Sequence, residues 1–221
     1  MDEIEINIMN KISKLNIILI IIVFLLSADS VYAATKLQRA PIKNFGIVGY
    51  WTFDGSDTNW GTNTTFDKSG QGNNGTMFSM SPATSTSLGK IGQALAFARA
   101  NTQFVYMTGP VISGGPFTIS YWQKPAVYSQ DNQAFSMGSV GATDQAIHLR
   151  NTSNTGFLFG MYNDDLAVTV PNMANRWNHV VVTIDSSMVQ RVYWDGAFID
   201  SRQSSGFYAG NTDMNIGRWV L

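Results

Sequence analysis

The sequence predicts an all-β protein built as a sandwich or a barrel. Beyond an apolar segment near the start, the 221-residue chain consists of short runs of β-branched and aromatic residues, separated by Gly, Asn, Asp, Ser and Pro. These runs lack the apolar periodicity of helices, and many short strands at regular spacing are typical of layered antiparallel sheets. The expected strands are residues 47–53, 76–80, 94–99, 103–107, 117–124, 134–138, 145–150, 156–162, 166–170, 178–184, 190–194, 197–201 and 214–217, and residues 81–88 are expected to form a loop.

Two neighbouring segments carry the β pattern most clearly. Along residues 190–194 successive side chains alternate in polarity, which predicts a strand with one buried face. Asp195 and Gly196 then favour a tight hairpin turn, since Gly accepts a positive φ and Asp tolerates it. Residues 178–184 are nearly continuous in β-branched residues, as expected of a central strand covered on both faces.

The N-terminus has the pattern of an export signal. Lys11 and Lys14 precede an apolar run at residues 15–26, and small residues follow up to Ala33. The run is short for a membrane span, which needs roughly 20 apolar residues. We therefore expect cleavage after Ala33 and a secreted or cell-surface protein, with no permanent membrane span after cleavage.

These signals divide the chain into three parts. Residues 1–33 are the predicted signal peptide, residues 34–45 an extended lead-in, and residues 46–221 a single β domain. Acidic residues precede the basic ones of the signal, so translation from Met9 fits the pattern better, although Met1 stays open as the start.

Composition excludes several classes of function. The chain has no Cys and only two His, which removes thiolate metal sites and disulfides and leaves too few ligands for a zinc site. A net charge of −1 provides no basic field for nucleic acid. Glu3 and Glu5 precede the predicted cleavage site, so the exported part contains aspartate but no glutamate.

Three groups of motifs occur in the order in which one family carries them. They are GYWTFD at 49–54 with DKSGQGNNGT at 67–76, then GKIGQALAF at 89–97 with FTISYW at 117–122, then WNHVVV at 177–182 with VYWDG at 192–196. Together they resemble the laminin-G-like jelly roll of the concanavalin A-like lectin and glucanase superfamily. The resemblance implies a two-sheet antiparallel jelly-roll sandwich over about residues 46–217.

The chain departs from the family pattern at two places. Phe97-Ala98-Arg99 stands where the family usually has Phe-Asp-Gly, and the sequence ends before the family's closing strand. We therefore expect a jelly roll that lacks its closing strand, in a truncated product or a piece of a longer protein.

The resemblance also allows a test for glycoside hydrolysis. Glucanases of the superfamily place a glutamate nucleophile and a glutamate acid/base on one strand, and the exported chain has no glutamate. Asp164 and Asp165 are adjacent and would face opposite sides of a strand. His179 lies in an apolar strand and is interpreted as structural. The sequence therefore predicts that the protein is not an enzyme.

Calcium is the cofactor that the sequence leaves open. Aspartate and asparagine cluster near residues 54–74 and 164–165, and hard cations take such oxygen ligands. Related jelly rolls hold a structural calcium beside the first strand, which by resemblance points to Asp54. The alternative is that these side chains stabilise turns, and for Gly70, Gly72 and Gly75 a glycine-rich turn organised by Asp67 and Asn73 is favoured over a nucleotide-binding loop.

Aromatic residues in the predicted loops are the candidate ligand-binding residues. Most aromatic side chains are expected to fill the core, but exposed Tyr and Trp can stack on sugar rings while Asn, Asp and Arg bond the hydroxyls. Trp60, Tyr128 and Tyr208 are the preferred exposed candidates. His148 is expected on a sheet face with Arg150.

The function that these observations favour is a secreted or cell-surface, non-catalytic binding module. Its expected partner is a carbohydrate or a surface protein, and nucleic acid is not expected. The alternative is a structural or adhesive domain of a larger surface protein with no small ligand. A glycoside hydrolase with aspartate catalysts is the third and weakest reading.

Overall fold

The computed structural model describes residues 46–128 and 131–219. The predicted signal peptide and lead-in, residues 1–45, lie outside this part. Among the described residues no helix has the length and apolar character needed to cross a membrane.

The described chain is almost entirely β, as the sequence predicts. The strands are β1 Thr58–Asn59, β2 Thr64–Thr65, β3 Gly75–Phe78, β4 Thr86–Leu88, β5 Gln93–Leu95, β6 Phe104–Thr108, β7 Phe117–Gln123, β8 Asn132–Gly138, β9 Ala146–Asn151, β10 Gly156–Gly160, β11 Asp165–Thr169, β12 Asn178–Ile184, β13 Val189–Trp194, β14 Ala197–Gln203 and β15 Asp213–Ile216. The helical elements are the short α1 Pro82–Ser85 and two 3₁₀ turns, Gly55–Asp57 and Arg99–Asn101.

Two antiparallel sheets form the layers of a jelly-roll sandwich. Across the described residues, one sheet has nine strands in the order β1-β2-β3-β6-β15-β8-β9-β10-β11, and the other has four in the order β14-β13-β12-β7. Strands β4 and β5 form a separate hairpin. Strand β15, which is late in the sequence, therefore lies in the middle of the larger sheet, between β6 and β8.

The core lies between the two sheets and is centred on aromatic contacts across the layers. Phe157 of β10 meets Trp194 of β13 edge to face at 5.4 Å, and Phe159 of β10 meets Phe117 of β7 at 6.3 Å. Such buried aromatic pairs stabilise the packing beyond the area they bury. Aliphatic and methionine side chains from both sheets surround them.

The β12–β13 region confirms the local predictions with one exception. Strand β12 has the predicted bounds, the alternation along β13 buries Val192 and Trp194, and Asp195 and Gly196 form the turn with φ of 51° and 85°. However, β12 is not covered on both faces: its alternate residues, such as Val181, are only half-buried. The outer face of the four-stranded sheet carries no further layer in the described part of the chain.

Two other predicted elements differ from the structure. Residues 47–53 form no strand, since no described strand pairs with them, and Phe53 has a left-handed φ of 59°. Tyr50 is tied instead to Asp67 and Lys68. Residues 81–88 form α1 and β4 rather than an irregular loop, because Pro82 at the first turn starts a helix and residues 86–88 pair with β5.

The glycine-rich segment is a turn, as predicted. Both carboxylate oxygens of Asp67 accept hydrogen bonds, from the backbone N–H groups of Tyr50, Ser69 and Asn73 and from the Ser69 hydroxyl. Burial raises the pKa of Asp67, but these hydrogen bonds outweigh it and hold the pKa below its usual value. The amide of Asn73 bonds the carbonyl of Val48.

Candidate functional site

The nine-stranded sheet presents a row of residues on the face turned away from the core. Because side chains alternate between the two faces of a strand, the register of the ladders fixes which residues share this open face. Six neighbouring strands contribute the paired residues Tyr106, Asn215, Ser136, His148, Gly160 and Asp165, in this order across the sheet.

A covering segment, residues 217–219, lies over the middle of this row. The N–H of Gly217 donates to the carbonyl of Ala134 at 3.0 Å, and the Ser136 hydroxyl donates to the carbonyl of Arg218 at 2.7 Å. The Trp219 ring packs on the ring of His148, with centroids 4.7 Å apart. Ser136 and His148 are consequently buried although they belong to the outer face.

A cavity of about 220 Å³ lies beside the covering segment. Its lining combines aromatic and polar side chains with a small backbone turn: Tyr106, Gly138, Ser139, Asp213, Asn215, Arg218 and Trp219. The cavity is smaller than sites for drug-sized ligands, which measure roughly 300–1,000 Å³.

Hydrogen bonding organises the wall formed by β6 and β15. The Tyr106 hydroxyl donates to Asp213 Oδ1 at 2.8 Å, and this bond raises the pKa of Tyr106 because it stabilises the protonated hydroxyl. Asn215 follows on the same face of β15. The wall therefore offers a carboxylate, an amide and a phenol to the cavity.

Arg218 brings a positive charge to the cavity. Its guanidinium carbon lies 4.5 Å from the ring centroid of Phe104, and Phe104 in turn stacks on Phe78 with ring planes only 6° apart. A cation over an aromatic face is attracted by the ring quadrupole. The two phenylalanines thus form a platform that orients the guanidinium.

The His148 ring, which packs on Trp219, is held by the carboxylate of Asp165 and occupies the space that Gly160 leaves open. His148 Nε2 lies 3.0 Å from Asp165 Oδ1, while the Nδ1 atom is buried with no partner in the described part of the chain. A Cβ at Gly160 would lie 1.5 Å from Nε2. Burial raises the pKa of Asp165, but the hydrogen bond and charge of His148 outweigh it, so the pKa is lowered. As expected, His148 shares its face with Arg150.

One of the three predicted ligand-binding residues lies next to this face. The Tyr128 hydroxyl donates to Asp131 Oδ1 at 2.8 Å, and Asp131 also pairs with Arg150 at 3.0 Å. The bond to Asp131 raises the pKa of Tyr128. Tyr128 is thereby connected to the open face, and its ligand-binding role stays a prediction.

The other two aromatic candidates lie elsewhere. The prediction that Tyr208 is exposed is wrong: its ring is fully buried, because Gly138 and Gly210 leave room for it, and its hydroxyl donates to the carbonyl of Asn211. Desolvation raises its pKa well above the usual range. Trp60 is partly buried and packs against the core, which leaves less of its ring for a ligand than the sequence predicts.

Asp54, the residue to which the resemblance assigned calcium, bridges two loops. Its Oδ1 accepts the backbone N–H of Gln93 at 2.7 Å, and a Cβ at Gly92 would lie 2.1 Å from the same atom. In residues 46–128 and 131–219, no three His, Asp or Glu side chains come close enough to hold a metal ion together. Calcium at Asp54 stays a prediction that these contacts do not support.

The sequence predicts a structural role for His179, but the structure places a serine hydroxyl, a group that can act as a nucleophile, within hydrogen-bond distance of its ring. Its Nε2 is 2.9 Å from the hydroxyl of Ser120 on the neighbouring strand. The carboxylate of Asp195 accepts a hydrogen bond from the backbone N–H of His179, not from its ring, and it also pairs with Arg176. No described hydrogen bond orients the ring through Nδ1, which a Ser-His pair acting in acyl transfer requires.

Sequence reasoning missed the residues that form the cavity. Alternation along β6 and β15 indicates which face Tyr106, Asp213 and Asn215 share, whereas Trp219 follows β15 and belongs to no strand. However, no local pattern shows that β15 lies between β6 and β8, or that residues 217–219 fold back over the sheet.

These features define a sandwich of the lectin and glucanase type with a small cavity on its larger sheet. A laminin G family model, described as "Concanavalin A-like lectin/glucanases superfamily", matches residues 99–219, which is more than half of the chain. The chain therefore belongs to this superfamily, as the motifs predicted. No curated protein matches it in sequence.

Solved structures with the same fold are distant in sequence. The binding domain of Paraclostridial Mosquitocidal Protein 1 is 14% identical, with a TM-score of 0.56, over 70% of this chain and 42% of that one. The binding domain of Botulinum neurotoxin DC in complex with rat synaptotagmin II is 16% identical, with a TM-score of 0.53, over 70% and 41%. The same domain in complex with SialylT is 15% identical, with a TM-score of 0.52, again over 70% and 41%. The chain thus spans about two fifths of the length of these domains.

Proposed function

We propose that this protein is a non-catalytic carbohydrate-binding module that acts outside the cytoplasm and holds one sugar residue in the open-face cavity. The observation that carries the proposal is the cavity lining. Tyr106 and Trp219 offer apolar ring surface, while Asp213, Asn215 and Arg218 offer hydrogen-bonding groups of three kinds. A site that combines apolar surface with a few convergent polar groups is the usual form of a small-molecule site.

The charge content of the cavity supports binding rather than hydrolysis. Glycoside hydrolysis uses two carboxyl groups placed on either side of the scissile bond. Among the described lining residues Asp213 is the one carboxylate, and it already accepts a hydrogen bond from Tyr106. Export rests on the predicted signal at residues 1–33, and the neighbouring structures, named as binding domains, are the precedent for this class of function.

Binding to a glycan array, with and without calcium, tests the proposal on the full chain. Tyr106→Ala is expected to weaken binding about 10-fold, which corresponds to roughly 1.4 kcal/mol of lost ring contact. Tyr106→Phe keeps the ring and separates stacking from the hydroxyl. Trp122→Ala, which removes an exposed aromatic ring from the other sheet, is the matched control and should leave binding unchanged. The proposal fails if no glycan binds in either condition, or if only the control variant loses binding.

A second candidate is an adhesive domain that binds a surface protein through the outer face of the four-stranded sheet. Trp122 and Phe198 are 41% and 56% exposed there, and Tyr193 packs edge to face on Phe198. Phe198 and Trp122 lie on the two edge strands of this sheet, β14 and β7, so apolar side chains are exposed at both edges of its outer face. Exposed apolar patches on a protein surface often mark interaction sites. Binding to intact cells separates the candidates. Loss after protease treatment of the cells, together with loss in Phe198→Ser but not in Tyr106→Ala, would favour adhesion.

A further inference from the structure

Arg218 differs from the other arginines of the described chain because its guanidinium has neither a carboxylate nor a hydrogen-bond acceptor as a partner there. Four arginines form ion pairs, namely Arg150 with Asp131, Arg176 with Asp195, Arg191 with Asp185 and Arg202 with Asp164. Arg99 donates to the carbonyl of Asp131. Within residues 46–128 and 131–219, the guanidinium of Arg218 forms no ion pair and donates no hydrogen bond.

This guanidinium is nevertheless held in place. The Phe104 ring supports it at 4.5 Å, and the backbone of Arg218 is fixed because its carbonyl accepts the Ser136 hydroxyl. The residues before and after it are also anchored, Gly217 to Ala134 and Trp219 on His148. A cation that is oriented in advance loses little side-chain entropy when it binds an anion.

The wall formed by β6 and β15 suits neutral hydroxyl groups. Asp213 and Asn215 can accept hydrogen bonds from hydroxyls, and the Asn215 amide can also donate. Asp213 is not within ion-pair distance of Arg218, so its negative charge does not neutralise the guanidinium directly. The cavity therefore combines a planar cation that has no ion pair among the described residues with groups that bond hydroxyls.

On the basis of the proposed function, we infer that the sugar bound in this cavity is acidic and that its carboxylate binds Arg218. A planar guanidinium forms two parallel hydrogen bonds with a planar carboxylate. A single negative charge matches the single cation. A phosphorylated sugar carries about −1.5 to −2 charges near neutral pH, and Asp213 would repel the excess.

Direct binding measurements on the full chain test this inference. The probes are a hexuronic acid oligosaccharide and sialyllactose, which represent two sources of a sugar carboxylate, with lactose and a neutral hexose oligosaccharide as uncharged counterparts. We expect at least one acidic probe to bind about 10- to 100-fold more tightly than its neutral counterpart, with an affinity that falls as salt is added. Arg218→Gln should abolish this preference and leave the weaker binding of the neutral probe.

Three further variants keep the test independent of folding. Arg176→Gln removes an exposed arginine remote from the cavity and should preserve the preference. Arg218→Lys keeps the charge but loses the paired hydrogen bonds, so it should retain only part of the preference. Asp213→Asn removes the nearby negative charge and should increase the preference for acidic probes. Equal thermal unfolding midpoints would verify that the variants are folded.

The possible outcomes separate the inference from the proposed function. Loss of the acidic preference in Arg218→Gln but not in Arg176→Gln supports the inference. Equal binding of acidic and neutral probes, unaffected by Arg218→Gln, overturns it and leaves the carbohydrate module in place. Binding of none of the probes or of any other glycan overturns both.

Discussion

Two neighbouring aspartates, Asp144 and Asp164, predict how the stability of the protein depends on pH. The Ser205 hydroxyl lies 3.2 Å from Asp144 Oδ2 and 2.9 Å from Asp164 Oδ2. Its single proton can be donated to only one carboxylate at a time. Asp164 also pairs with Arg202 and accepts the Ser205 N–H, whereas Asp144 Oδ1 is buried with no partner in the described chain.

The pKa values of the two carboxyls diverge for this reason. The pKa of Asp144 is raised to about 6, first by burial and then by the hydrogen bonding and negative charge of Asp164. Burial also raises the pKa of Asp164, but bonds from Ser204 and Ser205 and the charge of Arg202 outweigh it, so that pKa is lowered. Asp164 therefore stays ionised, and Asp144 gains its charge at a cost to the folded state.

Asp144→Asn should stabilise the protein at neutral pH. Because the folded pKa of Asp144 lies above the unfolded value of 3.8, its contribution is fully present below pH 3.8 and is lost as the pH rises through about 6. A shift of about two units corresponds to roughly 3 kcal/mol, and solvent screening of this partly exposed group reduces it to about 1–2 kcal/mol. The variant should be more stable by this amount at pH 7.5 and equal to wild type at pH 4.

Urea unfolding of both proteins between pH 4 and 8 measures this difference. The matched control is Asp200→Asn, since Asp200 is exposed and its carboxylate accepts a hydrogen bond from the N–H of Ser201. The control should follow wild type at every pH within about 0.5 kcal/mol. A stability difference between Asp144→Asn and wild type that stays constant from pH 4 to 8 would refute the reasoning.

Three other variants should destabilise the fold, each by a different mechanism, with urea unfolding as the measurement. Gly160→Ala places a methyl group 1.5 Å from His148 Nε2 and should cost about 1–3 kcal/mol through overpacking; an unchanged unfolding midpoint would contradict the packing of His148. Asp67→Ala removes the acceptor of several loop hydrogen bonds and should cost about 2–3 kcal/mol at pH 7. Its lowered pKa means that this cost should shrink as the pH falls below about 4, and a pH-independent cost would count against it. Gly196→Ala must hold a φ of 85° and should cost about 1–2 kcal/mol, whereas Gly115→Ala, at a glycine with open space around it and a φ outside the positive range, should cost less.

The sequence predicts elements well where local pattern and tertiary pairing agree. Strand β12 and the Asp195-Gly196 turn occur where expected, because β-branched residues and turn chemistry both act over a few residues. Residues 47–53 have the same kind of pattern, yet a strand exists only when another strand pairs with it. Their backbone instead makes isolated bonds to the loop around Asp67.

The candidate site is harder to predict because it depends on long-range register. Tyr106 and Asp213 bond across 107 residues of sequence, and only the insertion of β15 between β6 and β8 brings them together. For Tyr208 the sequence predicts an exposed ring, but the ring is buried. The segment from Gly206 to Gly210 has the composition of an exposed loop, but the Tyr208 ring fills the space that Gly138 and Gly210 leave open.

In the proposed ligand site, the position of Arg218 would link the affinity for a ligand to the docking of the covering segment. Residues 217–219 belong to no strand and are held by contacts to Ala134, Ser136 and His148. One wall of the cavity exists only while these contacts are formed, so the apparent affinity is the intrinsic affinity reduced by the docked fraction. We therefore expect substitutions at Ser136 or His148 to weaken the proposed binding, although neither residue lines the cavity. A ligand that bonds Arg218 stabilises the docked state by the same free energy, because the linkage is reciprocal.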